Sequence, residues 1–253
     1  CSNTDSHRQL RSHSMTAKTS VDIYKCIKIL RGHLNSICSL SFSPDNVLLA
    51  SSSVYDGRIN IWSVETWKCV QRLESDDIHR SNYICFSPDG KYLVNQYSPA
   101  IIKVWLVSSW ELIHTMGSSG GYISFSPNGK YLATSSSWHR VNYGNINITC
   151  TKTWKRLHAI RNVSDGPLTF SPDSKQLAYF HTNKENGKYE IRSIDLKNMN
   201  EFPSIKSGHL YKVYTLLYSP NGKYLVSGSC DKTIELFIMY KWSDRNNLHF
   251  SDK

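Results

Sequence analysis

The stretch Phe42-Ser-Pro-Asp-Asn46 returns four more times along the chain. The copies are Phe86-Ser-Pro-Asp-Gly90, Phe125-Ser-Pro-Asn-Gly129, Phe170-Ser-Pro-Asp-Ser174 and Tyr218-Ser-Pro-Asn-Gly222, and successive copies start 44, 39, 45 and 48 residues apart. Spacing of this order marks a repeat architecture and decides the fold before any single residue is weighed. Each copy is turn chemistry. Pro presets φ for the first central position of a type I turn, Asp or Asn suits the next, and Asn, Gly or Ser follows where a left-handed residue is needed. Apolar runs flank it: Ile37, Cys38, Leu40 and Phe42 before the first copy, then Val47, Leu48, Leu49 and Ala50 behind it. Short apolar runs bounded by turn residues read as buried strands, so each copy is the turn of a hairpin.

Two further strands follow in each period. The third is read at Ile59–Trp62, Ile101–Trp105, Ile146–Thr149, Tyr189–Arg192 and Thr233–Phe237. The fourth is read at Cys69–Leu73, Leu112–Met116 and Arg156–Ile160, with Cys26–Leu30 at the equivalent place before the first hairpin. These alternate apolar with polar residues more than the inner pair does, as expected where inner strands are buried on both faces and the outer strand meets solvent. Four antiparallel strands per period, stacked radially, make an all-β fold, a β-propeller.

The first repeat, with Gly32-His33, Leu49-Ala-Ser51, Asp56-Gly57 and Ile61-Trp62 around its turn, resembles the WD-repeat family. The fifth does so through Gly208-His209, Val226-Ser-Gly-Ser229, Asp231 and Leu236-Phe237. The resemblance covers roughly residues 25 to 240 and implies a hydrogen-bonded structural tetrad within a blade. That tetrad is His33, Ser51, Asp56 and Trp62 in the first repeat, and His209, Ser227 and Asp231 in the fifth, where Phe237 lacks the indole N–H. Repeats two to four lack Gly-His at the matching offset, and Ser63 and Leu106 stand where the family's closing Asp follows Trp. A catalytic reading of Ser, His and Asp is weaker than a structural one, because a triad is recognised by geometry and roles rather than by residue type.

With 253 residues, the chain has room for one large all-β domain. The division read is a polar tail or partial blade over 1–24, a propeller domain over 25–242, and a tail or closing strand over 243–253. Five repeats leave three arrangements open: a piece of a longer ring, a sixth blade assembled from both tails, or a short or open propeller. Seven cysteines include no C-x-x-C pair, which favours free thiols in a reducing cytosol or nucleus over disulfides or zinc. No run approaches membrane-span length and none resembles a signal peptide. No paired carboxylates, metal-ligand spacing or phosphate-cradling glycine loop is present, so no catalytic residue, metal or cofactor is assigned and the chain reads as a non-enzyme.

Net charge is +10, and part of the excess follows the repeat. Lys91, Lys130, Lys175 and Lys223 follow the turn block, while Lys68 and Lys155 sit between third and fourth strands. Both connections emerge on one face, giving a candidate basic face able to attract phosphate backbones or acidic proteins. Trp67, Trp110, Trp154 and Trp242 recur beside those lysines. They read either as rings covering the outer edge of their own blades or as stacking platforms for bases. The opposite, loop-bearing face varies most between repeats and offers Asn35, Tyr55, Tyr97, Trp138, His139, Arg140, Lys184, Tyr211 and Lys212 as partner-binding residues. Exposed Tyr, Trp and Arg dominate binding hot spots. The leading expectation is an interaction scaffold binding a protein or peptide segment on this loop face. The alternatives are a ribonucleoprotein component using the basic face, and the sensor or substrate-receptor part of a larger multidomain protein or complex.

Overall fold

The computed structural model describes residues 26–74, 81–97, 101–117, 121–135, 144–164, 166–183 and 187–239. Cα packing separates Cys1–Leu30 from Arg31–Lys253. The blades lie in the second unit.

Blade 1 comprises β1 (Ile37–Phe42), β2 (Leu48–Ser53), β3 (Arg58–Ser63) and β4 (Cys69–Glu74). Blade 2 comprises β5 (Ser81–Phe86), β6 (Tyr92–Tyr97), β7 (Ile101–Leu106) and β8 (Glu111–Gly117). Blade 3 comprises β9 (Ile123–Phe125), β10 (Tyr131–Ser135), β11 (Gly144–Cys150) and β12 (Arg156–Val163). Blade 4 comprises β13 (Leu168–Phe170), β14 (Gln176–Thr182), β15 (Tyr189–Asp195) and β16 (Ile205–Lys206). Blade 5 comprises β17 (Val213–Tyr218), β18 (Tyr224–Ser229) and β19 (Ile234–Ile238). Every sheet is an antiparallel meander in sequence order, with three strands in blade 5 and four in each of the others among the described residues. The fold is a β-propeller. No helix among the described residues is long and apolar enough to cross a membrane.

The turn block forms as its chemistry requires. In blade 1 the Leu48 N–H donates to Ser43 Oγ at 2.8 Å, the Ser43 hydroxyl donates to Asp45 at 2.5 Å, and the Val47 N–H donates to Asp45 at 3.0 Å. The same bonds recur around Ser87, Ser126, Ser171 and Ser219. The residue ending each block is left-handed, with φ of 60° at Asn46, 59° at Ser174 and 71° at Gly90, Gly129 and Gly222. That conformation explains the choice of Asn, Ser and Gly there.

The core lies in the seams between blades. Ile59, Ile61 and Leu73 of blade 1 pack with Ile84, Phe86, Leu93 and Trp105 of blade 2. Val94, Ile102 and Val104 of blade 2 pack with Leu132 of blade 3. Equivalent clusters join blade 3 to blade 4 and blade 4 to blade 5.

Three details differ from the sequence reading. The middle strands, not the innermost pair, are the most buried, since β2 and β6 are nearly all core while β1 is largely exposed. Cys26–Leu30 has the apolar pattern of a fourth strand but forms none, with Ile27 and Ile29 exposed. The fourth strand of blade 4 exists as the two-residue β16, too short to stand out in the sequence. The fourth-strand position of blade 5 falls outside the described residues.

Candidate functional site

In blade 1, Gly32-His33 lies just before β1 and Asp56 in the β2–β3 connection, while Ser51 and Trp62 come from the middle strands. They meet in one chain of hydrogen bonds. The Trp62 indole N–H donates to Ser51 Oγ at 2.8 Å, Ser51 Oγ lies 2.7 Å from His33 Nε2, and His33 Nδ1 lies 2.7 Å from Asp56 Oδ2. Because the indole can only donate, the Ser51 hydroxyl is free to donate to Nε2, and the Nδ1–H tautomer then donates to Asp56. Burial alone would raise the Asp56 carboxyl. The Arg58 N–H, the His33 ring and the Leu34 N–H together hold it below the usual carboxylate range.

Asp, His and Ser in line at these distances have the arrangement of a nucleophilic triad. The Ser51 hydroxyl, however, is engaged by both His33 and Trp62, and the residue is only 3 % exposed. No substrate carbonyl can reach it. The network is a clamp: it ties the 4–1 loop to the 2–3 loop and satisfies polar groups that would otherwise be buried unpaired.

Blade 5 repeats the clamp without the indole. His209 lies 2.9 Å from both Asp231 and Ser227, and Thr233 adds a bond to Asp231 at 2.5 Å. Burial opposes ionisation of Asp231, but Thr233, His209 and the Leu210 N–H pull its carboxyl far below the ordinary value. In both blades the Asp accepts from the backbone of the residue after His, at 3.3 Å for Leu34 and 3.0 Å for Leu210. These two leucines are therefore held facing outward, 75 % and 78 % exposed. Leu210 was missed in the sequence reading. Its signal was the Gly-His-Leu run that both repeats share.

Of the other loop-face residues, Asn35, Tyr55, Tyr211 and Lys212 are exposed on the 4–1 and 2–3 connections of blades 1 and 5. Tyr55 holds an aromatic side chain at φ 62°, a costly left-handed backbone for a bulky residue. Tyr97, expected on the loop surface, is instead the last residue of β6 and fully buried. It is buried because β6 is covered on both faces, Gln96 beside it being buried as well, and the Lys103 ammonium lies 5.4 Å from its ring centroid. Trp138, His139, Arg140 and Lys184 lie outside the described residues.

On the turn face, Lys68, Lys91, Lys130, Lys155, Lys175 and Lys223 are all exposed. Backbone bonds from Val107 to Lys91, Thr151 to Lys130, Leu196 to Lys175 and Met239 to Lys223 set each 1–2 turn beside its 3–4 turn. The lysines are not electrostatically equal. Lys91 lies 3.5 Å from Asp89 and Lys175 lies 4.0 Å from Asp173. Lys130 and Lys223 follow Asn128 and Asn221 instead, so their own turns supply no carboxylate. Two shallow grooves open on this face. One, of about 420 Å³, is lined by Lys130, Lys175 and Lys197 with Asp173 and Asp195; the other, of about 400 Å³, lies between the turns of blades 4 and 5. Two of the periodic tryptophans, Trp110 and Trp154, are not free platforms, and Trp242 lies outside the described residues. Trp154 meets Tyr92 of blade 2 edge-on at 5.0 Å, and Trp110 packs on the core between blades 1 and 2. These rings cover the seam with the preceding blade rather than the outer edge of their own.

The family model for the WD domain, G-beta repeat, matches residues 24–63 and 201–237, the two repeats that build the clamp. The chain carries WD repeats. It is 27 % identical over 240 residues to the nuclear distribution protein nudF of Aspergillus niger, a match covering 88 % of this chain and 46 % of that protein. It is 25 % identical over 227 residues to the transcriptional corepressor LEUNIG_HOMOLOG of Arabidopsis thaliana, covering 87 % of this chain and 27 % of the relative. Over 99 residues it is 30 % identical to Protein HIR1 of Cryptococcus neoformans, covering 38 % and 11 %. This WD-repeat chain thus spans less than half the length of these curated relatives. A solved structure of Kuenenia stuttgartiensis hydrazine synthase superposes with a TM-score of 0.68 at 16 % identity, covering 86 % of this chain and 68 % of that one, a likeness of fold alone. WD-repeat proteins of this kind are typically protein-interaction scaffolds and generally not enzymes.

Proposed function

We propose that this WD-repeat protein is a non-enzymatic scaffold that binds a protein segment on its loop face. The observation that carries the reading is the pair of outward leucines, Leu34 and Leu210, each anchored by a backbone bond to a clamped aspartate. Exposed apolar side chains on a loop whose backbone is already held need little further backbone ordering on binding, and preorganised anchors of this kind favour binding. Tyr55 and Tyr211 flank them and are also exposed. The free thiols of the described cysteines fit a reducing setting, cytosol or nucleus.

The test is affinity capture from nuclease-treated lysate with quantitative mass spectrometry, comparing wild type with a Leu34→Ser, Tyr55→Asn, Tyr211→Ser variant. Proteins enriched by wild type should be lost from the variant while thermal unfolding stays within a few degrees, because all three side chains are on the surface. Equal enrichment by both proteins would sink the loop-face reading.

A second reading places nucleic acid or an acidic partner on the turn face, favoured by Lys130 and Lys223, whose own turns carry Asn128 and Asn221 rather than a carboxylate. Binding there should weaken steeply with salt and fall on changing both lysines to Glu.

A further inference from the structure

The fourth strands of blades 1, 2 and 3 carry the same irregularity at their turn-side end. Gln71 pairs with Ile61 and Cys69 with Trp62, so Val70 between them has no opposite number. Ile113 is passed over in the same way between His114 and Leu112, and Leu157 between His158 and Arg156. Each is a bulge, a device that re-aims one side chain at the edge of a sheet. The re-aimed residue is aliphatic and exposed in all three blades, Val70 by 53 %, Ile113 by 39 % and Leu157 by 50 %. Each stands three residues after a left-handed tryptophan, Trp67, Trp110 or Trp154, with φ of 54°, 58° and 54°. The N–H of each tryptophan closes the same turn, on Ser63, Leu106 or Cys150. Because the three turns share one conformation, the three aliphatic side chains come at one height, beside the turn face.

A bulge can blunt an exposed edge by itself, and natural edges add charge, above all lysine, to the same end. An aliphatic residue at the bulge does the opposite. The charge is supplied by the neighbours. In blade 3 Thr151 joins the two turns, its N–H donating to the Lys130 carbonyl at 3.1 Å and its hydroxyl to the Gly129 carbonyl at 2.6 Å. This edge exposes Lys130, Lys152, Lys155 and Arg156 around Leu157, with no carboxylate in either turn. Across the groove in blade 4 the carboxylates are engaged, Asp173 with Lys175 at 4.0 Å and Asp195 with the Lys197 N–H at 2.7 Å. Blade 2 adds Leu112, 43 % exposed, beside Ile113, and blade 1 adds Lys68 and Arg72 on either side of Val70. The turns of blades 1 and 2 also hold Asp45, Glu65, Asp89 and Glu111, so the basic excess is centred on blade 3.

We propose that this edge is a membrane-contacting surface. The cations of blade 3 meet the anionic headgroups of a lipid bilayer, and Leu157, Ile113 and Val70 enter the boundary beneath them. Charge complementarity selects an anionic surface, and apolar side chains set among cations suit the headgroup boundary. A plane meets three side chains at one height in successive blades all at once. Nucleic acid fits less well. Aliphatic side chains add nothing to phosphate contacts, and Trp110 and Trp154, the candidate stacking rings, are spent on seams between blades. The inference goes beyond the loop-face reading and agrees with it, since a turn face laid on a bilayer leaves the loop face directed away from it.

The test is flotation of the whole 253-residue chain with phosphatidylcholine vesicles, with and without phosphatidylserine, over a range of salt. Wild type should float only with the phosphatidylserine vesicles, and less as salt rises. Ile113→Ser with Leu157→Ser should weaken binding about tenfold or more while the salt dependence stays. Lys130→Glu with Lys155→Glu should abolish it. Thermal unfolding near wild type checks that the variants fold, and Leu157→Ser or Lys155→Glu alone serves where a pair does not. The Leu34→Ser, Tyr55→Asn, Tyr211→Ser variant should float like wild type, because its changes lie on the other face; loss of flotation there overturns the proposal. Wild type that stays unbound at low salt overturns it and leaves the edge to a protein partner. Binding that survives Ile113→Ser with Leu157→Ser in full overturns it too, since the contact would then be charge adsorption alone. Single-stranded RNA that displaces the vesicles, and binds wild type and the Ile113→Ser, Leu157→Ser variant equally, overturns it in favour of a nucleic-acid surface.

Discussion

Blades 1 and 4 share the same turn and the same hairpin register, yet they hold their middle strands with different chemistry. In blade 1, Ser51 of β2 collects Trp62 and His33 into a compact chain ending at Asp56. In blade 4 the residue equivalent to Ser51 is Tyr179, whose partner across the sheet is Arg192. The Tyr179 hydroxyl reaches past the third strand and donates to Glu201 at 2.7 Å, while Arg192 pairs with Glu190 at 3.3 Å. Burial, reinforced by the Glu201 carboxylate, pushes the Tyr179 phenol far above its ordinary range, which keeps it a donor. A small residue needs neighbours brought to it, and a long one reaches them itself. Either solution pairs the buried polar group that the second strand carries at this position. Blade 2 shows the cost of having half a solution: its Trp105 keeps the indole, but the indole nitrogen is buried without a hydrogen bond.

The largest effect should come from Tyr179→Ala. It empties a fully buried site shared by blades 3 and 4 and should cost about 3–5 kcal/mol in denaturant unfolding, as large-to-small aromatic truncations do. A loss under about 1 kcal/mol would show that blade 4 does not depend on its long side chain. Ser51→Ala should cost less, about 1–3 kcal/mol, because it removes little volume but strands the Trp62 N–H and the His33 ring. The matched pair Trp62→Phe and Trp105→Phe sharpens the point. The first should destabilise by about 1 kcal/mol, and the second should be neutral or slightly stabilising, since it deletes an orphaned donor. Equal costs for the two would mean that the indole bond to Ser51 contributes nothing.

Acid should separate the blades more gently. Asp56 is held below its ordinary value of 3.8. Glu190 is held below 4.5, chiefly by its bond from Asn183 and then by Arg192. A depressed carboxyl contributes stability that is complete above the unfolded value and is lost as pH falls through the folded one. Both contributions should therefore be intact at neutral pH and decline below about pH 4. Asp56→Asn should lower stability at neutral pH and flatten the acid limb for amides of blade 1 in hydrogen exchange, leaving the acid limb of blade 4 unchanged. An unaltered slope in blade 1 would remove Asp56 from the acid response.

How much of this was legible beforehand varies with the range of the interaction. The turn block was readable because Ser, Pro, Asp and a left-handed residue satisfy one another within a few positions. The clamp of blade 1 was readable through its resemblance to other WD repeats, since all four members keep their spacing. Blade 4 offered no such spacing: Tyr179, Arg192 and Glu201 come from three elements and meet only when the sheet forms. Tyr97 looked like a loop residue because it borders a turn, but β6 runs through it and is covered on both faces. Cys26–Leu30 shows the converse, a good strand pattern that pairs with nothing, because a strand's pattern cannot supply its neighbour.

The amino-acid sequence alone determined the repeat, the hairpin turns, the propeller class and the candidate faces, because local backbone preference and period-two burial act within a few residues. Tertiary structure alone decided which lysines keep a carboxylate nearby and which tryptophans are spent on seams. Those outcomes depend on what one blade sets against the next, and residues about forty positions apart become neighbours only when the blades stack.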